Sequence, residues 1–227
     1  MKIWCQMVVS ACDQRYLDRI VACLKTSQRG DTRIQIAFPC KSIAGEQFVY
    51  RYFNFLNDRQ IMEGMQRGQE EGFDAVIINC FYDPCLLEAR EVMKIPVLGP
   101  AESSMMMASM MGKRFAIITL HPKAESIIED KIKLYGMSAR AIDHRPVRAL
   151  TLSLEEQNKA LDDPGPLKRN LEEISRGCIH DGAEVLIVGC TRLSVILQTS
   201  DLHEVEGVPV LECLTAALKI AEVFVDF

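Results

Sequence analysis

The sequence predicts a doubly wound α/β fold built as two similar lobes, each a mainly parallel sheet flanked by helices. Three observations predict it. Apolar runs alternate with helix-like segments along the whole chain. Two of the runs, Ala75-Val76-Ile77-Ile78 and Val185-Leu186-Ile187-Val188, are continuous rather than alternating. Strands read that way when helices cover both faces of a parallel sheet. The chain also resembles itself: Gly72-Phe73-Asp74-Ala75-Val76-Ile77-Ile78-Asn79-Cys80 parallels Gly182-Ala183-Glu184-Val185-Leu186-Ile187-Val188-Gly189-Cys190.

Taken in order, strands are expected over residues 3–9, 34–38, 75–79, 97–99, 115–119, 139–142, 185–189 and 208–211. Helical patterns fill the intervals at about 14–27, 58–71, 84–93, 102–111, 123–135, 166–180, 193–199 and 214–227. The repeat extends beyond its core. Ile95-Pro96-Val97-Leu98 parallels Val208-Pro209-Val210-Leu211, and Lys2-Ile3-Trp4 parallels Arg114-Phe115-Ala116. This places one lobe over residues 1–98 plus the last helix, about 212–227, and the other over 99–211, with an active site in the cleft between them. Asp162-Asp163-Pro164-Gly165-Pro166 reads as a loop opening a helix, not as a domain boundary.

Composition narrows the function classes. A chain of 227 residues with 48% hydrophobic residues can bury a substantial core. A net charge of −5 argues against a nucleic-acid partner. No apolar run is long enough to suggest a membrane span. The opening Met1-Lys2-Ile3-Trp4-Cys5 enters a strand pattern without the features of a secretion signal, so cytoplasmic residence is expected. Nine cysteines occur with no C-x-x-C pair, and the four histidines are scattered. Neither a disulfide framework nor a metal site is expected. There is no G-x-G-x-x-G or P-loop motif, hence no nucleotide cofactor.

The repeat singles out two of the nine cysteines. Cys80 and Cys190 both end a buried strand, eight residues after a glycine, and each is expected just before a helix. In open α/β sheets, ligands bind outside the carboxyl ends of the strands. Backbone N–H groups at a helix start lower a thiol's pKa. A single cysteine after an apolar strand is ordinarily an inert core residue; two at matched positions of a repeat are not so easily dismissed. Cys5, Cys12, Cys23, Cys40, Cys178 and Cys213 have no such match and are left as packing residues, while Cys85 falls one helical turn past Cys80.

Two like groups facing each other suit inversion of a carbon next to a carbonyl. One removes a proton from one face, the other returns a proton to the opposite face, and the roles exchange in reverse. The carbanion formed needs its charge spread into the carbonyl. Backbone N–H groups can stabilise it without a metal, and the turns Phe81-Tyr82 and Thr191-Arg192 are placed to supply them. No cofactor is called for, pyridoxal phosphate included.

At these residues a family resemblance enters. Asn79-Cys80-Phe81-Tyr82-Asp83-Pro84 resembles the C-F-x-D-P motif of hydantoin and allantoin racemases. Ser42-Ile43-Ala44-Gly45 resembles their S-I-E-G turn. Their P-V-x-G-x-x-E and G-x-R-F-x-x-I-T segments have counterparts in Pro96–102 and 112–119, and the second cysteine segment in 181–190. The resemblance implies an aspartate/glutamate racemase-like fold, Cys80 and Cys190 as the two bases, and a homo-oligomer. It also implies a small-molecule substrate, either a hydantoin-like ureide or an amino-acid-like acid. Asn79, Phe81, Thr119, Gly189 and Thr191 would then lie beside the substrate. There are departures. Where those enzymes carry an N-P-N-T-like turn, this chain has Gln6-Met7-Val8-Val9-Ser10, with Gln6 and Ser10 as candidate lining residues. After the second cysteine it reads Thr191-Arg192-Leu193, closer to the G-C-T segment of aspartate and glutamate racemases. Arg192 admits two readings, a bidentate clamp on a carboxylate or a solvated helix residue.

Other features read as structure. Met105, Met106, Met107, Met110 and Met111 are expected to be core packing, and His121 has either a ligand contact or a loop role. Two competing functions remain. One is cis–trans isomerisation of an unsaturated diacid such as maleate, which also uses two cysteines; decarboxylation of a malonate would keep only one. The other is a non-catalytic small-molecule-binding relative.

Overall fold

The computed structural model describes residues 1–43, 45–200 and 202–226. The strands are β1 (Lys2–Met7), β2 (Arg33–Ala37), β3 (Ala75–Asn79), β4 (Val97–Leu98), β5 (Phe115–Thr119), β6 (Val147–Ala149), β7 (Val185–Val188), β8 (Glu204–Val205) and β9 (Val208–Glu212). The helices are α1 (Gln14–Ser27), α2 (Arg51–Glu70), α3 (Leu86–Val92), α4 (Pro100–Met111), α5 (Pro122–Leu134), α6 (Leu154–Lys159), α7 (Gly165–His180), α8 (Thr191–Leu197) and α9 (Cys213–Val225). Two compact units result. One comprises Met1–Ser103 together with the segment from Leu214 onward, and the other comprises Ser104–Cys213. The division lies inside α4 and not at residue 98.

Each unit is an α/β layer of the expected class. The first sheet has the order β2-β1-β3-β4 and is parallel throughout. The second has the order β6-β5-β7-β9-β8, parallel except for the β8–β9 hairpin. The sequence repeat is a repeat of register. Ile3 pairs with Ala75 as Phe115 pairs with Val185, and Ile77 pairs with Leu98 as Ile187 pairs with Leu211.

The turns entering β3 and β7 also match bond for bond. After α2, Gly72 at φ 75° donates to Gln69 O and Phe73 donates to Gly68 O. After α7, Gly182 at φ 96° donates to Ile179 O and Ala183 donates to Cys178 O. Both are Schellman caps, which need a residue in the left-handed region and so favour glycine. The acidic residue that follows performs one task in both. Asp74 accepts from the Lys2 N–H at 2.6 Å, and Glu184 from the Lys113 N–H at 2.8 Å, tying each turn to the start of the neighbouring strand.

α2 packs closely on β1 because it presents glycines. A Cβ on Gly68 would lie 2.6 Å from the Trp4 ring, and one on Gly64 would run into the Gln6 side chain. Glycine inside a helix costs about 1 kcal/mol relative to alanine, and the close approach is what requires it here. The Trp4 ring is buried and meets Phe73 edge-on at 5.0 Å. α9 is clamped to the first unit by Glu222. This buried carboxyl accepts from the Arg29 N–H at 2.7 Å and the Thr32 hydroxyl at 2.8 Å.

Several expectations are corrected. Residues 139–142 do not form a strand. Ala141 makes one isolated bridge to Phe115, and the chain then bends through Arg145 at φ 47° and pairs with β5 only from Val147. α2 begins at Arg51, a full seven residues before its expected start at 58, because the apolar Tyr52, Phe55 and Leu56 face solvent and hide the amphipathic period. α6 was not anticipated, although Ser153 and Glu156 form a capping box that the S-x-x-E pattern announces. The methionines of α4 are not plain core. Met105 is buried, but Met106, Met110 and Met111 are exposed. The S-I-A-G turn includes Ala44, which lies outside the described residues, as does the Phe227 end of the last expected helix.

Candidate functional site

In each unit the chemistry-bearing residues collect at the carboxyl ends of the two central strands. Met7, at the end of β1, is in register with Asn79, at the end of β3, and Cys80 follows. The Asn79 amide donates to the Met7 sulfur at 2.9 Å. In the second unit the Gly189 N–H donates to Ile118 O at 2.8 Å, and the Thr119 hydroxyl donates back to Gly189 O at 3.2 Å, with Cys190 next. Thr119 and Gly189 thus occupy the places that Met7 and Asn79 hold in the first unit.

The two matched thiols are half-buried, whereas Cys5, Cys23, Cys85, Cys178 and Cys213 are buried. Burial pushes the Cys5 thiol up to about 12 and the Cys178 thiol up to about 11, which keeps both protonated and inert. Cys12 and Cys40, also expected to pack in the core, are half-buried and exposed respectively.

Cys190 is the N-cap of α8, in extended backbone at φ −162°. Its thiol is raised above the ordinary thiol range because burial dominates. The backbone N–H groups of Leu193 and Arg192, and then the Arg192 charge, pull the other way without overcoming it. The lowered pKa anticipated from the helix start is therefore corrected: desolvation outweighs the N–H groups. Thr191 is buried at the first position of α8. Arg192 is not a freely solvated helix residue: it is half-buried, and its guanidinium donates to the Asn158 side-chain oxygen on α6 at 2.6 Å.

Cys80 departs from expectation in a different way. No helix starts behind it. Four residues intervene before the Cys85 N-cap, and α3 begins only at Leu86. One of the intervening residues, Asp83 at φ 45°, and the N-cap Cys85 at φ 56° lie in the left-handed region. Phe81 is buried, so its side chain packs inward. The Cys85 thiol donates to the Asp58 carbonyl of α2 at 3.3 Å, which gives it a structural role.

Asp83 is the residue that sequence reasoning missed. It is fully buried, and its two carboxyl oxygens accept from the Ala101 N–H at 3.0 Å and the Glu102 N–H at 2.9 Å, capping α4. A signal existed: Gly99-Pro100 opens a helix with no side chain of its own to cap it.

The remaining candidates divide. Gln6 does not line an open surface. It is fully buried under Gly64, accepting from the Trp4 indole at 2.9 Å and donating to Met7 O at 2.8 Å. Ser10 is exposed, and its N–H donates to the Ser42 hydroxyl at 2.7 Å, which joins the post-β1 loop to the S-I-A-G segment. Asn57 of α2 steadies the same loop by donating to Val8 O at 2.8 Å. His121 caps α5 by accepting from the Lys123 N–H at 3.1 Å, the loop role among its two readings being the one seen here. Among the described residues no cluster of side chains suited to a metal ion occurs, and no helix is long and apolar enough to cross a membrane.

Residues 47–221 match the family described as Asp/Glu/Hydantoin racemase. The chain belongs to that family. A hydantoin racemase of Pseudomonas sp. (strain NS671) is 33% identical over 89% of this chain and 78% of its own length. One of Rhizobium meliloti is 37% identical over 70% of this chain and 63% of its own. Among solved structures, allantoin racemase from Klebsiella pneumoniae superposes with a TM-score of 0.83 at 26% identity, covering 100% of this chain and 88% of that one. Aspartate racemase from Picrophilus torridus, with a TM-score of 0.65 at 13% identity, covers 97% of this chain and 94% of that one and shares the fold. As a member of the Asp/Glu/hydantoin racemases, the chain is an isomerase.

Proposed function

We propose that this racemase inverts the carbon next to a ring carbonyl in a hydantoin-like ureide, without a cofactor, using Cys80 and Cys190 as the two acid/base groups. The observation that carries the reading is the equivalence of the two thiols. Each follows the third strand of its sheet at the same register and after the same turn, and each remains half-buried where unmatched cysteines are mostly core. In one direction a Cys80 thiolate takes the proton from the substrate carbon, the electron pair moves into the adjacent carbonyl, and the Cys190 thiol returns a proton from the other face. The thiolate and thiol are exchanged at the end of that turnover, and the opposite enantiomer runs the steps in reverse.

The substrate class is supported by the relatives, which are named hydantoin and allantoin racemases.

The test is proton NMR in deuterated water under reducing conditions, with both enantiomers of several 5-substituted hydantoins, allantoin, aspartate and glutamate. A ureide should lose its 5-proton and its optical rotation together, and Cys80→Ala and Cys190→Ala should each stop inversion. Inversion that survives either substitution would refute the two-thiol mechanism. Exchange confined to the amino acids would refute the ureide class.

A further inference from the structure

We propose that Asp83 is the positioning residue of Cys80. It sets where that thiol stands by anchoring the turn that carries it to the start of α4. The proposal rests on the two-thiol reading above for its catalytic meaning.

Four observations converge. The Asp83 N–H donates to Cys80 O at 3.1 Å, closing the turn directly behind the thiol's own residue. Both carboxyl oxygens are committed to the Ala101 and Glu102 N–H groups, and the side chain is 0% exposed. Asp83 and Cys85 hold left-handed backbone conformations that non-glycine residues adopt only when the surroundings impose them. On the other side the same turn is tied to α2 through Cys85 and Asp58. Cys80 therefore sits between the end of β3 and a turn pinned to two helices, with the Asp83 carboxyl as one pin.

The source of the cap is what separates positioning from plain helix capping. A serine or aspartate at position 99 would cap α4 locally, with no strained turn. Instead position 99 is glycine, where a Cβ would run into the Asp83 carboxyl. The cap is drawn from the thiol-bearing turn, so satisfying the helix also fixes the turn. Cys190 has no such arrangement, because it is itself the N-cap of α8.

The experiment compares Asp83→Ala, Gly99→Ser and the double variant Asp83→Ala/Gly99→Ser, in which the serine can cap α4 in the space the carboxyl leaves. Thermal unfolding, kcat and KM on the active ureide, and 5-proton exchange of each enantiomer are measured. Iodoacetamide labelling of Cys80 and Cys190 is followed by mass spectrometry. A misplaced acid/base group should lower kcat about 10²-fold. KM should stay within about threefold, as expected when a transition-state interaction is lost. Exchange of the enantiomer deprotonated by Cys80 should fall more than that of the other, the same asymmetry expected of Cys80→Ala. In the double variant the unfolding temperature should recover while kcat stays low, and the labelling rate should change at Cys80 and hold at Cys190.

Recovery of kcat together with stability in the double variant would reduce Asp83 to a helix cap and overturn the proposal. So would an unchanged Cys80 labelling rate. If Cys80→Ala itself still racemises, the two-thiol reading fails by that result alone, and the labelling arm still decides whether Asp83 positions Cys80.

Discussion

The turns after β3 and β7 start from the same sequence pattern and end in different places. Up to the cysteine they share a Schellman cap, an acidic residue bonded to a backbone N–H at or just before the start of the neighbouring strand, and one pairing register. Beyond it, Cys190 enters a helix at once, as the N-cap of α8. Cys80 instead leads into a strained loop held by a buried carboxyl. A duplicated framework can thus deliver two like side chains to like positions and still surround them differently. The framework is set by strand pairing, and the surroundings by the few residues that follow.

This comparison can be broken or sharpened by experiment. The largest effect is expected at Asp83→Ala, which strands two buried N–H groups of α4. Urea denaturation should show a loss of about 3 kcal/mol. A loss under 1 kcal/mol would mean the Cys80 turn is not anchored as described. Next, Gly72→Ala and Gly182→Ala should cost nearly the same, about 1–2 kcal/mol each. The strain there is conformational: nothing lies within 4 Å of a Cβ at Gly182, and only the Lys2 Nζ, at 3.9 Å, at Gly72. Unequal costs would break the claimed equivalence of the two caps.

The third expectation concerns pH. A thiol raised by burial reacts through its rare thiolate, so labelling of Cys190 should climb about tenfold per pH unit from neutrality through pH 9. A plateau below pH 8 would contradict the direction of the shift. The same sign governs stability. Cys5 stays protonated in the folded chain up to about 12, so its share of stability is complete below the unfolded thiol's range near 9. That share declines as pH rises from there to about 12. Thr119→Val is expected to have the smallest effect, about 1 kcal/mol from the lost bond to Gly189 O, with no counterpart at Met7.

Much of this was legible in the chain alone. The class, the element order and the doubling follow from apolar runs and from Gly72–Cys80 against Gly182–Cys190, because burial on both faces and left-handed caps constrain residue type strongly. The matched strand-end positions of Cys80 and Cys190 follow for the same reason. The polar residues around them were less legible. Gln6 was taken as a lining residue, yet it is buried in the core, since whether a side chain at a strand end faces a site or a helix depends on the Gly64 contact. Arg192 could not be assigned without α6 bringing Asn158 to it.

What the sequence by itself determined, then, was the central strands of each sheet, their repeat and the two thiols at their ends, all written in local patterns of burial and turn chemistry. Only the tertiary structure decided what each thiol meets. Asp83 and Gly99 lie far apart along the chain, as do Arg192 and Asn158. Contacts of that kind leave no periodic trace, because they are made by elements that meet only when the sheet and its helices have assembled.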